Sequence, residues 1–300
     1  QRIIRENNPK ADFDVASNPE FLREGTAIAD YENPPYILIG AKDERGANEI
    51  AAIYTNIEAE KIKVELSSAE IIKYVNNSWH ALKVAFANEV GSICKQLAID
   101  SHEVMHLFIK DKLLNISPYY LRPGYAYGGA CLPKDLSALV SLAVSKGVNI
   151  PLLESVHLSN EAHIERAISL LRKNPKSMRL GFLGLSFKAG TDDIRNSPTL
   201  TIIRTLQQDG YQVSVFDDYV HLAISSEKNI ALTMSHLEDI EPIMFKTVDE
   251  LLSQSDVVVF SKKDSAYNEI ESKLENKKII DLVHFKKFES NANNYEGLAW

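Results

Sequence analysis

Apolar positions along this chain follow two rhythms, and the rhythm changes twice. Residues 34–40, PPYILIG, form a short apolar run between Pro-Pro and Gly, which predicts a strand. ERGANEIAAIYTNI then has helical spacing and IKVEL predicts a further strand, so residues 1–66 read as the tail of an α/β unit. From Ser67 the segment SSAEIIKYVNNSWHALKVAFANEVGSICKQLAI runs for about thirty residues with no proline and one glycine. Ser67 and Glu70 open it in a capping-box arrangement, and the pattern predicts one long helix. DSHEVMHLFIKD, KDLSALVSLAVSKG and PLLESVHLSNEAHIERAISLLRKN continue with helical spacing, so residues 67–175 read as all-α.

After Lys176 the rhythm shortens again. MRLGFLGLSF, YQVSVFDD, DVVVFS and KKIIDL predict strands, with SPTLTIIRTLQQDG and TVDELLSQS as helices between them. Strands alternating with crossover helices predict a parallel sheet, which makes residues 176–300 a second α/β domain. Asp217 and Asp218 follow a strand at its carboxyl end, where open α/β sheets bind ligands. No internal repeat or low-complexity segment interrupts the three zones.

Composition narrows the function classes. The chain has 300 residues, 45% hydrophobic and 25% charged, with a formal net charge of −8, which argues against wrapping nucleic-acid phosphates. No apolar run is long enough for a membrane span, and the opening QRIIRENNPK has no apolar signal core, so a cytoplasmic location is expected. The two cysteines, Cys94 and Cys131, cannot build a disulfide framework, and no Cys/His spacing predicts a metal site. The chain begins at Gln1 without Met and runs at once into fold-like material, which suggests a piece of a longer protein.

Four segments concentrate chemistry. In RPGYAYGGACLPKDLSAL (122–139), Cys131 stands among Gly124, Gly128 and Gly129, just before a helix start that carries Pro133, Lys134 and Asp135. A helix N-terminus favours thiolate, the glycines admit close backbone approach, and Tyr119, Tyr120, Tyr125 and Tyr127 could stack on or hydrogen-bond to a ligand. A structural turn around a small buried Cys explains the same residues, whereas Cys94 reads as core. On the long helix Lys73, Asn77, His80 and Asn88 fall within roughly 80° of one another, either holding a polar ligand or facing solvent. SNPEFLREGTAIAD (17–30) gathers Glu20, Arg23 and Glu24, as base and ligand contacts or as a capped helix start. LGLSFKAGTDDIRNSPTL (183–200) runs from strand through a Gly-containing loop to a helix capped by Ser197, with Lys188 and Arg195 beside a turn suited to an anion.

NPEFLREGTA, AEIIKYVNNSWHALKVAFANE, RPGYAYGGACLPKD and GLSFKAGTDDIRNSP, in this order, resemble the UDP-glucose/GDP-mannose dehydrogenase family over essentially the whole chain. The wording of the last three is most similar to the GDP-mannose branch, with UDP-sugar relatives as competitor. The resemblance implies oxidation of a sugar primary alcohol to a carboxylate by two NAD molecules. It assigns Cys131 as the nucleophile forming a thiohemiacetal and then a thioester. Lys73 and Asn77 would stabilise the oxyanion or organise water, Asp135 would assist proton transfer, and Glu20 would serve thioester hydrolysis. Glu24, His80, Asn88, Tyr119, Tyr120, Arg122, Gly124, Tyr125 and Lys188 would hold the nucleotide sugar, while Lys134 and Arg195 would approach NAD. The implied architecture is a Rossmann-like NAD domain, a helical middle that forms a homodimer, and a C-terminal Rossmann-like sugar-nucleotide domain, with no metal.

One departure is large. The family begins with a Gly-rich dinucleotide turn, and no G-x-G-x-x-G occurs in these residues; the stretch from Gly181 has the wrong spacing. The expectation is the body of such an enzyme with only the end of its NAD domain present, inactive by itself. A remnant that binds a sugar nucleotide or assembles with a partner without catalysis is the alternative.

Overall fold

The computed structural model describes residues 1–22, 26–118, 120, 123–186, 190–225, 237–285 and 294–299. They divide into two compact units, Gln1–Asn88 and Glu89–Trp300.

The first unit holds α1 (Arg2–Asn7), β1 (Ala16–Ser17), α2 (Ala27–Glu32), β2 (Ile37–Ala41), α3 (Glu44–Ile53) and β3 (Lys61–Val64), then most of α4 (Leu66–Gln96). Its three strands lie in the order β1-β2-β3, β1 antiparallel and β3 parallel to the central strand. The run Ile37, Leu38, Ile39 is buried, and α3 covers Ile37 and Ile39 with Ala47, Ile50 and Tyr54. Asp43 starts α3 by accepting from Gly46 N at 2.9 Å, the ordinary solution for orphan amides at a helix start. The long helix is present, but it begins at Leu66. Ser67 therefore lies inside its first turn, where Ala69 N already donates to Glu65 O at 3.1 Å, and it is not the cap that its spacing to Glu70 predicts. The two-residue β1 at the sheet edge is too short to register as an apolar run.

The second unit continues from the end of α4 through α5 (Ser101–Phe108), α6 (Cys131–Ser145) and α7 (Pro151–Arg172) into a five-stranded sheet. Its strands are β4 (Arg179–Leu183), β5 (Gln212–Phe216), β6 (Val257–Phe260), β7 (Lys278–Asp281) and β8 (Tyr295–Gly297). All neighbours are parallel, in the order β5-β4-β6-β7-β8. The helices α8 (Pro198–Gln208), α9 (Asp218–Ser225) and α10 (Val248–Gln254) accompany the strands.

Period-two alternation splits the strand side chains between two cores. Leu180, Phe182, Val213, Val215, Val257 and Val259 pack with Ala167, Ile168 and Leu171 of α7 and Ile202, Ile203 and Leu206 of α8. Leu183, Phe216, Val258, Phe260 and Ile279 pack on the other side with Leu251 and Leu252 of α10. The last turns of α7 thus share a core with the parallel sheet. Cys94 is buried, as its place in the apolar pattern of α4 predicts. No helix among the described residues is long and apolar enough to cross a membrane.

Candidate functional site

In the first unit the segment Asn18–Leu22 leads away from β1. Asn18 anchors it: its Nδ2 donates to Leu38 O at 2.9 Å and its Oδ1 accepts from the Tyr54 hydroxyl at 2.5 Å. Glu20 then meets α4, where Lys73 Nζ donates to its carboxylate and, at 2.8 Å, to its backbone carbonyl. Leu22 N donates to the second carboxylate oxygen at 2.8 Å. The Lys73 hydrogen bond, seconded by the Leu22 amide, holds the Glu20 carboxyl below the usual carboxylate range. Beside this pair lies a cleft of about 500 Å³ lined by Glu20, Phe21, Tyr31, Tyr36, Asn76 and His80, among others. Of the polar stripe, Lys73 thus reaches Glu20 and His80 lines the cleft, with Asn76 beside it; Asn77 and Asn88 are exposed on the same helix. Arg23 and Glu24 fall outside the described residues.

In the second unit Cys131 is the first residue of α6, exposed, with Pro133 in the opening turn as the pattern predicts. The segment before it is held by two elements. From α7, His163 Nε2 donates to Gly124 O at 2.8 Å, while Asn160 accepts from Tyr127 N and donates to Tyr127 O, both at 3.0 Å. His157 completes this face: its Nδ1 lies 3.3 Å from the Tyr127 hydroxyl and its Nε2 lies 3.0 Å from Ser137 Oγ, which itself donates to Pro133 O at 2.7 Å. From the loop before α8, Asn196 Nδ2 donates to Gly129 O at 3.1 Å. A Cβ on Gly128 would fall 2.4 Å from Asn196 O and 2.7 Å from Pro198 Cδ, so only glycine lets the two loops touch. Gly129 itself has φ +83°, the left-handed turn that feeds the chain into α6.

Two of the tyrosines do a different job from the one the sequence pattern proposed. Tyr125 packs against the core, its hydroxyl 3.2 Å from Thr199 Oγ1, and burial pushes its ionisation well above the usual range. Tyr127 bonds His157, and burial, with the charge of Glu161, pushes it up likewise. Both rings fasten the loop to its frame. Tyr120 is exposed with φ +63°, whereas Tyr119 and Arg122 fall outside the described residues.

Lys134 and Asp135 are exposed and lie 3.4 Å apart. Arg195 makes a two-pronged pair with Asp193, Nε to Oδ1 at 2.9 Å and Nη2 to Oδ2 at 2.8 Å. That hydrogen bonding, with the charge of Asp193, raises the Arg195 ionisation. Ser197 is at the N-cap of α8 with Pro198 next, but its hydroxyl donates to Leu185 O at 2.6 Å instead of capping the helix. Lys188 falls outside the described residues.

Asp217 corrects the expectation of a ligand-facing carboxylate. It is fully buried and accepts from Leu185 N at 2.8 Å, Ser186 N at 3.0 Å and Lys262 Nζ at 2.8 Å. Burial alone would push its carboxyl up; the Lys262 charge and these hydrogen bonds outweigh that and hold it below the usual range. The lysine partner, His157, Asn160 and His163 escape a sequence reading. The i, i+3, i+6 spacing of the last three on one helix was the available signal.

The start of α3 does not fit the pyrophosphate of NAD. The βα turn of the first unit leads into α3, and its amide end is already taken by the Asp43 carboxylate, with Glu44 beside it. Among the described residues no group of three or more His, Cys, Asp or Glu side chains could hold a metal ion.

Comparison with known proteins follows this division. Residues 1–58 match the NAD binding domain of the UDP-glucose/GDP-mannose dehydrogenase family, 67–162 its central domain and 181–287 its UDP binding domain. GDP-mannose 6-dehydrogenase of Pseudomonas putida is 40% identical over 291 residues, 96% of this chain and 66% of that protein. A crystal structure of a ternary complex of GDP-mannose dehydrogenase from Pseudomonas aeruginosa superposes with a TM-score of 0.93 at 39% identity, covering 100% of this chain and 69% of that one. UDP-glucose 6-dehydrogenase of Rickettsia bellii is 38% identical over 212 residues, 68% of this chain and 48% of its own. The chain spans about 66% of the length of the GDP-mannose relatives it matches. Three consecutive domain matches and a likeness that runs the full length of the chain place it in the UDP-glucose/GDP-mannose dehydrogenase family.

Proposed function

We propose that this chain is the nucleophile-bearing and substrate-holding part of a nucleotide-sugar 6-dehydrogenase whose substrate is GDP-mannose and whose product is GDP-mannuronate. The observation that carries the reading is Cys131, exposed at the first position of α6 on a loop fastened from two sides. In this reading the sulfur adds to the C6 aldehyde carbon and a proton passes to the carbonyl oxygen, giving a thiohemiacetal; its oxidation leaves a thioester, which water cleaves to the acid. Lys73 and Asn77 stabilise the developing oxyanion or orient the water, Asp135 moves the proton, and Glu20 serves the hydrolysis. The Glu20 carboxyl is ionised, as a proton acceptor must be, while its ties to Lys73 and Leu22 make it a weaker base than a free glutamate. Glu24, His80, Asn88, the segment Tyr119, Tyr120, Arg122, Gly124 and Tyr125, and Lys188 hold the sugar nucleotide. Gly124 and Tyr125 do so by shaping the loop, since their polar groups already bond His163 and Thr199.

The oxidant this reaction needs is NAD, with Lys134 and Arg195 on its approach; the start of α3, closed by Asp43, offers its pyrophosphate no cradle. The domains of the reading are residues 1–66, 67–175 and 176–300. A homodimer formed by the central helices agrees with the exposure of Tyr74, Val84, Leu107 and Val144. GDP-mannose is preferred to UDP-glucose because the GDP-mannose relatives align over 96% of the chain and the Rickettsia enzyme over 68%.

Calorimetric titration of this chain tests the reading. Binding of GDP-mannose in preference to UDP-glucose is expected, and heat from neither would overturn it. With NAD and GDP-mannose together, no NADH is expected from these residues alone. Binding without turnover in the longer protein as well would favour the non-catalytic reading.

A further inference from the structure

Lys262 is 3% exposed, and its ammonium is 2.8 Å from the fully buried Asp217 at the carboxyl end of the parallel sheet. A buried ion pair adds little net stability over an apolar pair of the same volume, so the structure around it must show what it arranges. Here Asp217 Oδ2 gathers Leu185 N, Ser186 N, Ser186 Oγ and Lys262 Nζ, at 2.8, 3.0, 3.0 and 2.8 Å. The carbonyl of Leu185 is in turn the acceptor for Ser197 Oγ at 2.6 Å. Ser197 adjoins Asn196, whose side chain donates to Gly129 O at 3.1 Å, two residues before Cys131. Asn196 has φ +49°, in the left-handed region that asparagine tolerates better than most side chains. Every link in this chain of contacts lies within the second unit.

We propose that the Lys262–Asp217 pair is a positioning device for Cys131, acting through Leu185, Ser197 and Asn196 on the glycine turn that opens α6. Lys262 touches no reacting atom. It fixes Leu185 and Ser186 after β4, and Leu185 in turn holds Ser197, next to Asn196, whose side chain holds the turn carrying the sulfur. The inference rests on the reading of Cys131 as the nucleophile only for its purpose; the positioning itself is testable without catalysis.

Rates of iodoacetamide alkylation at Cys131, followed by mass spectrometry from pH 6 to 10, supply the test, because thiolate fraction sets the rate and the placement of the sulfur at the start of α6 favours the thiolate. Asn196→Gly removes the tie to Gly129 while keeping the backbone conformation. Lys262→Met leaves Asp217 without its partner. Arg179→Gln, which breaks the Arg179–Asp256 pair at the opposite end of β4, controls for loss of stability alone. Asn196→Gly and Lys262→Met are expected to slow alkylation at pH 7 by about threefold or more and to move the pH profile upward, with Arg179→Gln unchanged. Should Lys262→Met fail to fold, Asn196→Gly decides. A folded Asn196→Gly protein with the wild-type profile, or an equal shift in Arg179→Gln, would overturn the proposal. The role of the sulfur in acid formation is separately read from Cys131→Ser, so the two can fail independently.

Discussion

The carboxylate of Glu89 caps a helix to which it does not belong. It sits on α4, and its two oxygens accept from Leu152 N at 2.7 Å and Leu153 N at 2.9 Å, the second and third residues of α7. Ile150, the residue at the N-cap, supplies no side-chain bond, and Pro151 has no amide to satisfy. Replacing Glu89 by Ala leaves two orphan amides at the start of a 22-residue helix and removes a negative charge from its positive end. Loss of a capping side chain costs about 1 kcal/mol and loss of the charge a further ~0.3–1 kcal/mol. Because the acceptor is ionised and half-buried, the sum is placed at about 2–3 kcal/mol. For a unit of this size that is a fall in Tm of roughly 5–10 °C. Glu89→Gln keeps one good acceptor and should lose about half as much. Thermal unfolding followed by near-ultraviolet circular dichroism, which reports the aromatic side chains packed in this unit, reads the effect. A Glu89→Ala protein melting within about 1 °C of wild type would refute the reasoning.

Other expectations follow from the same geometry. Gly128→Ala forces a methyl group against the Asn196 carbonyl and the Pro198 ring; it should cost about 1–3 kcal/mol in chemical denaturation and loosen the cysteine turn, seen as faster amide exchange at 128–131. Asp256, held at about 2 by its hydrogen bonds with Arg179, has a folded pKa below its unfolded one. Its contribution is therefore present above pH 4 and lost as pH falls through about 2, so the stability gap between wild type and Asp256→Asn should be open at pH 6 and closed near pH 1.5. Lys73→Met removes the chief cause of the lowered Glu20 ionisation; the Glu20 carboxyl resonance, followed by NMR from pH 2 to 7, should then titrate at higher pH, and an unmoved midpoint would show that the pair is not formed in solution.

Much of the fold was legible because its signals are local. The runs LGFL, VSVF, VVVF and KIID are apolar on both faces, as strands covered on both sides must be, and each appears where the sequence puts it. β1 and β8 escaped because two or three half-buried edge residues carry no periodicity. Ser67 misled because a capping box specifies a local option, and α4 begins two residues before the start that a Ser67 cap would set. At the site, Cys131 stood out as a lone thiol among glycines before a helix. The groups that hold its loop did not. His157, Asn160 and His163 look like the wet face of an amphipathic helix, and only the fold turns that face toward Gly124 and Tyr127. Lys262 was invisible for a stronger reason: lysine is almost never fully buried, and its partner lies 45 residues away.

The central claim is that Cys131 faces the sugar nucleotide, and protection of its thiol measures this most directly. Iodoacetamide labelling of this chain should slow as GDP-mannose is added and reach a floor at saturation, with UDP-glucose less effective at equal concentration. A labelling rate at Cys131 that stays constant across the titration, while calorimetry shows the nucleotide sugar bound, would contradict the account.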